Sequence, residues 1–118
     1  MKVWESAEAR AAAQKLLDAE AGLDEVRAVE PERDEFGNQI DEATWLRWFD
    51  GPYADARRVR DDVLTHLNKT LGLSTVGGRW PLRGAWWTVP VAKAIVGTAN
   101  AEEQSIAQLF FDEKFGKG

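Results

Sequence analysis

The sequence predicts an α+β domain, mainly helical, with four to five helices and a small antiparallel β-hairpin or three-stranded meander around residues 73–89. Three observations carry this. Capping residues and glycine stops bracket stretches of helical periodicity on both sides of the centre. At Leu73 the apolar period shortens, and Gly77-Gly78 supplies the positive-φ pair that a two-residue hairpin turn needs. The length of 118 residues, with 44% hydrophobic and 30% charged, fits one domain spanning 1–118.

The first helix is expected over 7–21. Ser6 is placed to accept from an orphan amide, Ala9, Ala12, Ala13, Leu16 and Leu17 form the stripe, and Gly22 serves as the stop. Residues 23–35 read as an irregular acidic connector, followed by a turn at Phe36-Gly37-Asn38. Asp41 caps a short helix to about Phe49, whose Trp45, Trp48 and Phe49 share one side, and Asp50-Gly51-Pro52 is expected to break it. A longer helix runs from Tyr53 or Ala54 to Leu71, closed by Gly72, with Val59, Val63 and Leu67 recurring every fourth residue.

The hairpin is read as 73–76, Gly77-Gly78 and 79–82, with Arg83-Gly84 turning into a third strand at 85–89. Pro81, which lacks an amide, places the middle segment at an edge. Thr88 or Pro90 then starts a short buried helix over 91–96, ended by Gly97. Asn100 and Glu103 make a capping box for the last helix, 101–115.

Charge is uneven along the chain. Residues 1–56 hold 6 Lys or Arg against 14 Asp or Glu, residues 57–100 hold 7 against 2, and residues 101–118 hold 2 against 4. No carboxylate occurs from 63 to 101, where Lys69, Arg79, Arg83 and Lys93 sit with Trp80, Trp86 and Trp87. Folding of the acidic half against the basic centre is the expected partial explanation. The absence of Cys excludes disulfides, thiolate metal sites and Cys nucleophiles. No run is apolar for the ~20 residues that a transmembrane helix needs, and the N-terminus has no apolar signal region, so a cytoplasmic location is expected. Arg exceeding Lys, with abundant Ala, Asp and Gly, matches bacterial or phage composition.

Several constellations bear on function. Arg79, Trp80, Arg83, Trp86 and Trp87 combine the residue types enriched where proteins grip partners. A helix followed by a Gly-Gly hairpin has the element order of a winged helix, in which Arg60, Lys69, Arg79 and Arg83 would meet DNA phosphates. The overall acidic charge argues against that alternative. Arg57 with Asp61, and Arg58 with Asp62, are spaced for pairing within their helix. A third reading is a small enzyme using His66, with Asp62 one turn before it. As the single His it leaves a metal set incomplete. The acidic loop does not fit a calcium-loop register, because aligning Gly37 puts Phe36 and Ala43 where oxygen ligands belong. No phosphate loop or nucleophile elbow is present around Ser6, Ser74 or Ser105. The expectation is therefore a non-enzymatic protein–protein interaction or assembly protein without cofactor or metal, of the kind found as a phage or mobile-element accessory protein or a small subunit of a bacterial complex. Its partner would be another protein or a second copy of the chain.

Overall fold

The computed structural model describes residues 2–116; Met1, Lys117 and Gly118 of the expected 1–118 domain lie outside the described residues. Its elements are a 3-10 turn at Val3–Glu5, then α1 (Ala7–Ala28), α2 (Glu42–Trp48), a π-helical turn (Phe49–Tyr53), α3 (Ala54–Thr70), α4 (Ala85–Val96) and α5 (Ala101–Phe115). Among the described residues there is no strand, only isolated bridges joining Arg33 to Gln39 and Val76 to Arg79. The expected α+β class is thus corrected to all-helical.

The helix starts follow their caps. Ser6 Oγ accepts from the Ala9 N–H at 3.0 Å. Asp41 accepts from Ala43 and Thr44. Asn100 and Glu103 form the reciprocal box at the head of α5. Two stops, by contrast, do not stop. α1 runs through Gly22 to Ala28 because Leu23 is buried and Val26 half-buried one turn further on. Burying Leu23 contributes about 1.5–3 kcal/mol, whereas glycine inside a helix costs about 0.5–1.

The expected break at Asp50-Gly51-Pro52 is a π turn instead, in which the Ala54 N–H reaches the Phe49 carbonyl. Proline clashes with the carbonyl four residues earlier in an α-helix, and the wider turn accommodates it while the axis continues. The same turn brings residues five apart into line. Trp48 and Tyr53 accordingly stack with centroids 4.8 Å apart, beside Trp45 on Phe49 at 4.8 Å and Phe49 on Tyr53 at 5.5 Å.

The hairpin fails for a different reason. Gly77 and Gly78 do adopt φ of 60° and 78°, and Val76 and Arg79 exchange backbone hydrogen bonds at 2.8 and 3.2 Å. Pairing ends there, at Trp80-Pro81. The side chain of buried Asn68 takes over, accepting from the Leu82 N–H and donating to the Leu82 carbonyl, both at 3.0 Å. Residues 85–89, expected as a third strand, are the first turns of α4. Trp87, Val91 and Ile95 recur at every fourth position, as do Thr88 and Ala92, so the helix presents a half-buried to buried face that a strand would split between two sides.

α1 and α3 pack as an antiparallel pair tied by Arg60 to Glu20 at 3.2 Å, and α2 is tied to the end of α1 by the Trp48 Nε1–H on the Val26 carbonyl at 3.0 Å. α4 packs on α1, and α5 on α4. The main core lies at the α1 N-terminal end, where Leu16, Leu67, Leu71, Leu82, Val91, Ile95, Phe110 and Phe111 are buried together. Trp4 closes it by stacking on Phe111 at 4.6 Å. Beyond this base the α1/α2–α3 pair projects alone, giving extents of 54 × 28 × 26 Å. No helix among the described residues is long and apolar enough to cross a membrane.

Candidate functional site

The basic segment forms one wall of a groove at the base. Val76, Arg79, Pro81 and Arg83 face Trp87 of α4 and Glu113 and Lys114 of α5 across a cleft of ≈ 400 Å³. Each wall is fixed by the fold. The Val76–Arg79 bridge holds the Gly-Gly turn, and the Asn68–Leu82 bonds clamp the segment to α3 between Pro81 and Arg83. Arg83 is further fixed by donating from Nη1 to the Trp80 carbonyl at 2.8 Å.

Of the five residues singled out for protein interaction, Arg79 and Arg83 are exposed and Trp80 is half-buried. The Trp pair divides its work. Trp87 packs inward on Phe110, with centroids 5.5 Å apart, and Trp86 stands edge-on to it at 4.2 Å with 58% of its surface exposed. Neither Arg79 nor Arg83 has a carboxylate partner among the described residues; Lys114 is offset by Glu113 at 3.6 Å. The groove therefore offers two guanidiniums without ion-pair partners among the described residues, beside Val76, Pro81 and Trp87, and the exposed Trp86 indole lies against Trp87.

The four cations considered for DNA are not gathered. Arg60 lies midway along the helical pair, its side chain 22% exposed and bonded to Glu20 and to Asp61. Burial works against its charge, but the two carboxylates outweigh that and push its pKa above the usual arginine value. Lys69 is exposed near the end of α3, and the strand pair that would form a wing is reduced to one bridge. The expected pairs within α3 also differ, since Arg58 meets Asp55 at 3.3 Å and Arg57 lies over the Tyr53 ring at 5.7 Å. His66 and Asp62 are both exposed, with no hydrogen bond between their side chains among the described residues. No cluster of three metal-ligating side chains occurs among those residues.

A second exposed feature lies at the opposite end, where the sequence marks an acidic connector and a turn but not the hydrogen bonds that build them into one loop. The connector 29–41 is a built loop. Asp34 Oδ1 accepts from the Phe36 and Asn38 N–H groups, both at 2.9 Å, and the Asp34 N–H donates to the Asn38 carbonyl at 2.8 Å. Arg33 donates to the Gly37 carbonyl and pairs with Glu30 at 3.1 Å. Hydrogen bonds from Arg33 and from Trp45 hold the Glu30 carboxyl below the ordinary range. Phe36 stands on this scaffold with 80% of its surface exposed. The available signal was an aromatic residue inside a turn, between Glu35 and Gly37.

Comparison with protein-family models, curated proteins and solved structures finds no match to this chain.

Proposed function

We propose that the chain acts by binding another protein, as a small assembly or adaptor subunit and not as an enzyme, and that the base groove is its binding surface. The observation that carries this is the cleft that gathers Arg79 and Arg83 with Trp87, on which the exposed Trp86 indole stands edge-on. Trp and Arg are the side chains that most often dominate binding energy, because each joins a large contact area to a directed polar group. A partner with carboxylates and an apolar anchor would satisfy both halves of the groove.

Affinity capture tests this. The immobilised chain is expected to retain a specific protein, either a second copy or another subunit, that Trp86→Ala and Arg79→Glu/Arg83→Glu both release. All three positions are exposed, so the variants should keep wild-type helicity. If no protein binds in a way these substitutions change, the reading is wrong.

A further inference from the structure

We infer that the occupant of the base groove is the acidic loop of a second copy of the chain, so that copies join head to tail with Phe36 seated in the groove. The inference rests on the proposed role of the groove and adds the identity of its partner. Loop 29–41 joins the C-terminal end of α1 to the N-terminal end of α2. Segment 73–84 follows α3 beside the N-terminal end of α1, so antiparallel packing of α1 and α3 sends the two to opposite ends of a molecule 54 Å long. α1 of the acidic half packs on α3 and α4 of the basic centre, with Arg60 on Glu20 as an ion pair between them, but loop 29–41 lies at the far end from segment 73–84.

The two ends complement each other. At the loop, Glu32 and Glu35 are exposed and without cationic partners among the described residues, since Arg33 is spent on Glu30 and Gly37. Glu35 directly precedes Phe36 and Glu32 lies one loop turn before it, while Val29 and Ile40 are also exposed nearby in sequence. The groove is lined by Arg79 and Arg83 together with Val76, Pro81 and Trp87, and by Glu113 and Lys114, which pair with each other and leave the two arginines as its net charge. Like-charged ends repel and opposite ends attract, which favours the head-to-tail arrangement over a loop-to-loop or groove-to-groove dimer. The loop is already held by its internal hydrogen bonds, so little ordering entropy opposes docking. A contact between two different patches does not close on itself; it yields rows or rings.

Sedimentation and light scattering test this with two variants, Phe36→Ser and Arg79→Glu/Arg83→Glu, after circular dichroism shows unchanged helicity. Wild type is expected to form dimers and longer species as concentration rises, and fewer as salt rises. Each variant alone should be monomeric. Mixed together they should form a one-to-one heterodimer and nothing larger, because each retains the end that the other has lost. A wild-type chain that stays monomeric at its solubility limit overturns the inference, as does association that Phe36→Ser leaves unchanged. If the groove variant still abolishes capture of a different protein, the groove reading survives and only the identity of its occupant is lost.

Discussion

The side-chain amide of Asn68 replaces a missing strand. It accepts from the Leu82 N–H and donates to the carbonyls of Leu82 and Leu64, all at 2.9–3.0 Å and out of contact with water. Asn68→Ala would strand two buried backbone groups of Leu82. Each such group costs about 1–3 kcal/mol, so urea unfolding should show a loss of about 3 kcal/mol, a large part of the 5–15 kcal/mol typical of a domain. Thr88 is the opposite case. Its hydroxyl is buried without a hydrogen-bond partner among the described residues, so Thr88→Val removes an unsatisfied group at nearly constant shape. The same measurement should find that variant unchanged or more stable by up to about 1 kcal/mol.

At the scale of elements, Gly22 offers a direct test of why α1 is long. A Cβ built there meets nothing within 4 Å, and the residue lies inside a continuous helix. Gly22→Ala should therefore stabilise the protein by about 0.5–1 kcal/mol, seen as a raised Tm. The caps at Ser6, Asp41 and Asn100 were legible because capping is a local transaction between a side chain and amides two or three residues on. The ends were less legible, because Leu23 and Trp48 outvote Gly22 and Pro52 through contacts distant in sequence. Trp86-Trp87-Thr88-Val89 has strand-like composition, yet strand propensity has meaning only beside a partner strand. Leu82, in the segment that would have been that partner, bonds to Asn68 instead. Of the candidate site, Arg79, Arg83 and the Trp pair could be singled out from composition, whereas Lys114 and Glu113 enter the groove only through tertiary packing of α5.

For the whole molecule, a radius of gyration of 16.8 Å exceeds the roughly 13–14 Å of an equally long compact chain. The excess is the projecting helical pair, which lacks a third layer and depends on polar fixings at its end. Glu30, through Arg33 and Trp45, and Asp41, through Thr44, are both held below the 4.5 and 3.8 of ordinary Glu and Asp. A carboxyl whose folded pKa is depressed contributes stability above its unfolded value and loses it as pH falls through the folded one. The loop end should thus be indifferent to pH in the neutral range and loosen below about pH 4; the Asn100 N–H and Lys93 hold Glu103 at the head of α5 low as well, but there the buried core also holds the helices, so the loop end gives way first. Hydrogen exchange at the amides of Phe36, Asn38 and Thr44, compared with those of α4, would register this order. Equal acid sensitivity at both ends would contradict it.

The π turn at Phe49–Tyr53 has a consequence for direction. A π turn is an α-helix carrying one surplus residue, and each residue advances an α-helix by about 100°. The azimuth at which α2 leaves α3, and with it the α2 end of the acidic loop, therefore depends on a single residue near Gly51. Deleting it while replacing Pro52 by Ala, so that no ring meets the carbonyl four residues back, would turn α2 about the α3 axis and part Trp48 from the Val26 carbonyl, moving the Phe36 end of the molecule with it. In a row of copies joined head to tail, that one residue would set the angle at every joint, and hence whether the row closes into a ring or winds as an open spiral.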